Sequence, residues 1–159
     1  WRRVAGVICD RRVSARMKGK VYRTVVRPAK LYGLETVAST KRQEVELEVA
    51  ELKILRYSLV VTMMDRIRNK FIRETAHVGR FGDKAREARS KWFGNVQRRD
   101  MGYICRRMLR IEPLGRRKRG RPRRRFMDVL REDMQVIGLK EADVEDRGFW
   151  RWIICCGDP

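Results

Sequence analysis

Residues 116–125 read Arg-Arg-Lys-Arg-Gly-Arg-Pro-Arg-Arg-Arg, eight cations in ten positions. The chemistry open to such a run is recognition of a polyanion. A guanidinium presents its donors in a planar fork that suits phosphate oxygens and base edges, and arginine greatly outnumbers lysine in this chain. Neutralising on the order of six phosphates would release their counterions and give log K a slope of about −5 against log salt on duplex DNA. Arg98 and Arg99 extend the run upstream. Residues 98–125 hold thirteen basic residues and two acidic ones, more than half of the formal net charge of +20. Residues 126–159 reverse the sign, with four basic and eight acidic residues. The expected nucleic-acid-binding set is Arg98, Arg99, Arg116, Arg117, Lys118, Arg119, Gly120, Arg121, Pro122, Arg123, Arg124 and Arg125.

Within the run, Arg119-Gly120-Arg121-Pro122 with its basic flanks resembles the AT-hook motif. Gly120 removes a side chain, so the backbone can approach the floor of a minor groove. Pro122 holds the chain extended and keeps it out of a helix. Arg119 and Arg121 can then lie along a narrow A·T groove, where the negative potential is strongest. The same residues also read as a nuclear import signal, which would place the protein inside the cell and in the nucleus. An anionic membrane is the competing partner for positive charge. No apolar run approaches the roughly 20 residues that span a bilayer, and the basic run has no apolar face with which to lie on one.

Catalytic chemistry finds less support. Polymerases and nucleases cluster carboxylates around paired metal ions, whereas the acids here are scattered: Glu44, Glu46, Glu48 and Glu51 in one segment, Asp143, Glu145 and Asp146 in another. Asp128, Glu132 and Asp133 could line a metal site, but an amphipathic helix would carry the same pattern. Cys9, Cys105, Cys155 and Cys156 form no Cys-x-x-Cys pair, and zinc spacings are absent. They read as reduced, mostly packed thiols. His77 is the sole histidine and reads as a surface or packing residue, so no Ser-His-Asp or Cys-His arrangement is expected. The expectation is a chain with no catalytic site, cofactor or small-molecule substrate of its own. Trp92 and Phe93 could stack on bases, but their helical spacing with Ala85, Ala88 and Val96 favours core packing. Trp150 and Trp152 are read the same way.

The elements that must position these residues are helical. Residues 1–13 show no clear pattern. Ser14 can cap a helix with Met17, Val21 and Val25 as its apolar stripe, Tyr22 and Val26 beside it, and Pro28 ending or kinking it. Thr40 and Gln43 have the spacing of a capping box, and the helix they start runs to about Leu59. Its two apolar stripes, Val45, Val49, Leu52, Leu59 and Leu47, Ala50, Ile54, Tyr57, predict a central helix packed on two sides. Asp65 caps a short helix holding Ile67, Phe71 and Ile72. Asp83 opens a strongly amphipathic helix carrying Ala85, Ala88, Trp92 and Val96, with Arg86, Arg98 and Arg99 on other faces. Pro113, Gly115, Gly120 and Pro122 break any helix. Phe126, Val129, Leu130, Met134 and Ile137 give a last helical stripe, closed by Gly138. The predicted class is all-α: a helical domain over 1–110, an Arg-rich, Gly/Pro-interrupted extended linker over 111–125, and a small C-terminal helical segment over 126–159. The chain begins at Trp1 rather than Met, and a piece of a longer protein is expected.

Residues 20–36, Lys-Val-Tyr-Arg-Thr-Val-Val-Arg-Pro-Ala-Lys-Leu-Tyr-Gly-Leu-Glu-Thr, resemble the segment that follows the palm in reverse transcriptases of non-LTR retrotransposons (LINEs), RTE/BovB-like elements in particular. Three more blocks fall in the family's order: Asp65-Arg66-Ile67-Arg68-Asn69, Arg89-Ser90-Lys91-Trp92-Phe93-Gly94-Asn95-Val96, and Arg119-Gly120-Arg121-Pro122 before Phe126-Met127-Asp128-Val129. Asp158-Pro159 looks like the end of such a polyprotein. The resemblance covers essentially the whole chain and implies a thumb-like bundle over 1–110 followed by a basic tail. It implies that the thumb grips the template–primer duplex and that the tail helps hold element RNA or target DNA during target-primed reverse transcription. The RNA-directed DNA polymerase acids, their Mg and the palm they sit in would lie upstream, the palm being a partner within the same polyprotein. This sequence departs from the family pattern at Asn95, where His is frequent, and at Phe126, where Trp is usual. A stand-alone DNA- or chromatin-binding protein built from the same piece is the alternative.

Overall fold

The computed structural model describes residues 2–111, 120 and 124–155. Every regular element among them is a helix, so the all-α class holds. In order these are α1 (Arg2–Cys9), α2 (Ala15–Val21), a π-helical turn (Tyr22–Val26), α3 (Arg27–Leu31), α4 (Lys41–Ser58), α5 (Asn69–Ala76), α6 (Phe81–Gln97), α7 (Ile104–Arg110), α8 (Phe126–Ile137), a 3-10 turn (Glu141–Val144) and α9 (Arg147–Ile154). They sort into two compact units: Trp1–Tyr32 with Lys41–Ala85, and Gly33–Thr40 with Arg86–Cys155. The division falls inside α6, not at residue 110. Its cause is Phe93, which shares a core with Leu130, Met134, Leu139, Val144, Trp150 and Ile154, so the second half of α6 and the segment after 126 form one body.

In the first unit, Ser14 stands extended and its Oγ accepts from the Met17 N–H at 3.4 Å, starting α2. The buried face of this region is not the expected Met17–Val21–Val25 stripe, because Met17 and Val25 are exposed. Gly19 and Tyr22 turn inward instead. A Cβ at Gly19 would come within 1.7 Å of the Ala76 carbonyl oxygen, so only glycine lets α5 approach this closely. Pro28 does not end the helical path. The wider π turn before it, with Arg27 N–H donating to Tyr22 O, leads into α3, where Pro28 occupies the first turn and its missing N–H is not required. The core comprises Tyr22, Leu55, Ile72, Ala76 and Val78, with Val26, Ile54 and Leu59 against it.

α4 also differs from its expected two-stripe pattern: Val45, Val49 and Tyr57 are exposed, and Glu51, Leu55, Arg56 and Ser58 are buried. Asp65 does not cap α5. It accepts from the Thr62 N–H and hydroxyl in the preceding turn, and these two bonds hold its carboxyl below the usual range. α5 starts at Asn69 and buries Ile72 but leaves Phe71 exposed. It ends at His77 in the left-handed region (φ 51°), with His77 N–H bonded to Glu74 O and Val78 N–H to Arg73 O. That is the Schellman pattern with histidine in glycine's usual place.

In the second unit, α8 follows its sequence pattern. Val129, Leu130 and Met134 are buried, and Gly138 (φ 73°) closes the helix as Leu139 N–H returns to Met134 O at 3.0 Å. α9 begins at Asp146, whose Oδ1 accepts from the Gly148 and Phe149 N–H groups. Trp150 is buried, tilted against Phe93 at 6.3 Å, and its indole N–H donates to Ser90 O at 3.1 Å. Trp152, expected to be packed, is 76% exposed, because the α9 stripe that meets α6 is Trp150 and Ile154.

Candidate nucleic-acid interface

Seven of the expected contact residues, Arg116, Arg117, Lys118, Arg119, Arg121, Pro122 and Arg123, lie outside the described residues. Arg98, Arg99, Gly120, Arg124 and Arg125 are described, and they play different parts. Gly120 has φ 137°, a conformation that side chains rarely adopt, and no atom lies within 4 Å of a Cβ built there. Its glycine is thus required by backbone conformation and not by crowding.

Arg98 is built into the unit. Its Nη1 donates to Val144 O at 2.9 Å and its Nη2 to Asn95 Oδ1 at 3.2 Å. Burial, and then the neighbouring charge of Arg147, lower its pKa from the ordinary arginine value. Arg99 is exposed, with its guanidinium 5.9 Å from the Tyr103 ring centroid. Arg124 pairs with Glu132 on α8. The Arg125 N–H donates to Asp128 Oδ2 at 3.1 Å at the start of that helix. The downstream end of the arginine run is therefore tied to an acidic helix, through Glu132 and Asp128.

The carboxylates that could have shared a metal do not converge. Asp133 is buried and takes a two-point contact from Arg89, Nε to Oδ2 at 2.6 Å and Nη2 to Oδ1 at 3.1 Å. Arg89 also donates to Ser39 Oγ at 3.2 Å. Glu132 serves Arg124, and Asp128 caps the start of α8. Among the described residues no group of His, Cys, Asp and Glu is placed to hold a metal ion. Nor is any helix among them long and apolar enough to cross a membrane. The aromatic residues of α6 are packed, as their spacing suggested: Phe93 is fully buried, and Trp92 meets Phe126 edge to face at 5.3 Å.

Sequence reasoning passed over α7. None of its residues is buried, and Arg107, Arg110, Ile104 and Met108 are exposed on it, directly upstream of the arginine run. Arg106 is tethered, its Nη1 donating to Arg99 O at 2.5 Å. The signal was present as charge within residues 98–125, but only the helix, which packs Leu109 against the core, shows that Arg107 and Arg110 face solvent. Comparison with known proteins gives no match to a family model, to a curated protein or to a solved structure.

Proposed function

We propose that this chain grips nucleic acid and performs no chemistry on it. It does so as the thumb and basic tail of a non-LTR retrotransposon reverse transcriptase. The observation that carries the reading is the concentration of thirteen cations against two acids in residues 98–125, on a chain with formal net charge +20. Exposed Arg99, Arg107 and Arg110 stand at the upstream end of that stretch, and Arg124 and Arg125 anchor its downstream end on α8. Such an arrangement supports a clamp carried between α7 and α8 of the second unit, with affinity from phosphate neutralisation. The order of the four sequence blocks supports the retrotransposon assignment, in which the polymerase acids, their Mg and the palm would lie upstream. Work on chromosomal DNA implies a nuclear location.

The test is binding to a short DNA duplex at two salt concentrations. Arg119→Ala with Arg121→Ala is expected to weaken binding and flatten its salt dependence, each lost phosphate contact removing about 0.9 from the slope. Binding equal to wild type at both concentrations would remove the run from the interface.

A further inference from the structure

The second unit carries another concentration of cations, assembled by helix packing and separate from the arginine run. A recess of about 200 Å3 lies where α6 meets α9. Lys91 and Asn95 line it from α6, Arg98 from just past the end of that helix, and Arg147, Trp150 and Arg151 from α9, with no carboxylate among the described lining residues. Its floor is fixed. Trp150 is buried and bonded to Ser90 O, and Gly94 makes room for it, since a Cβ there would stand 2.6 Å from the indole nitrogen. Arg98 is held by Val144 O and Asn95 Oδ1, so its charge stays at the recess wall. Lys91 is ion-paired with Glu87, while Arg147 and Arg151 are exposed at the mouth. Lys91 is offset by Glu87, but Arg98 and Arg147 are close enough for the charge of one to oppose that of the other, and an anion relieves that repulsion. The volume is below the roughly 300–1,000 Å3 of a small-molecule pocket and suits a single oxyanion.

We propose that this recess seats one phosphate group of a bound nucleic-acid backbone, contacted by Arg147 and Arg151 and backed by Arg98 and Lys91. The source of the phosphate rests on the grip proposed above, but the residues are different ones. The recess would give the second unit a further contact to the strand held by the arginine run.

The experiment measures log K against log salt on one labelled DNA duplex for four proteins: wild type, R147A/R151A, R147K/R151K and R119A/R121A. Circular dichroism confirms equal helix content. The R147A/R151A protein is expected to bind several-fold more weakly at low salt with a slope shallower by about 1, the share of one phosphate. The lysine pair should restore the wild-type slope. A wild-type slope and affinity for R147A/R151A, beside a loss in R119A/R121A, would overturn the recess and leave the grip standing. Should wild type bind no duplex, the grip fails, and inorganic phosphate titrated against tryptophan fluorescence decides the recess separately. A saturable change in wild type that R147A/R151A lacks supports an anion site fed by free phosphate. No change overturns it.

Discussion

Glu51 is fully buried, and its carboxylate is reached by three donors from other elements. Tyr22 Oη donates to Oε1 at 3.0 Å, Arg27 Nη2 to Oε1 at 2.9 Å, and Arg73 Nη1 pairs with Oε2. A charge without partners in such a place would cost several kcal/mol, so this cluster ties α4, α5 and the π turn into one arrangement. Arg89 and Asp133 do the same for α6 and α8 in the second unit. Burial, followed by the Glu51 charge and hydrogen bond, raises the Tyr22 phenol well above its usual value. The folded state thus keeps a proton that the unfolded chain releases near pH 10. That contribution to stability is complete below about pH 10 and is lost as pH rises toward the folded pKa, at about 1.4 kcal/mol per pH unit. Urea unfolding at pH 8 and pH 11 should show wild type losing about that much more than Tyr22→Phe. Equal losses in the two proteins would show that the phenol proton is not held.

At the scale of elements, α5 ends on a residue ill suited to its backbone. His77 at φ 51° occupies a left-handed position that costs a non-glycine residue about 1 kcal/mol. His77→Gly is therefore expected to raise the denaturant midpoint of the first unit by an amount worth up to about 1 kcal/mol, whereas a lowered midpoint would give the imidazole a stabilising role of its own. Which helices were legible in the sequence follows from what they bury. α8 buries Val129, Leu130 and Met134 at helical spacing and stops at Gly138, so both its face and its end were readable. The inward faces of α2 and α4 were misread, because Gly19, Lys18, Glu51 and Arg56 are the buried residues there. Periodicity assigns charges to solvent, and it cannot see a partner such as Arg27 for Glu51, 24 positions away. α1 was missed for want of a long enough stripe. The candidate site divides in the same manner: the arginine run stands out as composition, but the α6–α9 recess exists only once Trp150 packs against Gly94.

The whole molecule is two helical units with a formal net charge of +20, more than half of it within residues 98–125. A body so charged repels itself, and a polyanion offsets that repulsion. The described carboxylates of α8 are engaged with Arg89, Arg124 and the start of that helix. Grip of this kind depends on salt far more than on sequence. The most direct test is the affinity of the whole chain for a DNA duplex measured across a series of salt concentrations. A linear fall of log K with log salt is expected, at a slope of about −5 or steeper, from on the order of six neutralised phosphates. A slope near zero, or no binding at low salt to duplex DNA, RNA or their hybrid, would contradict it.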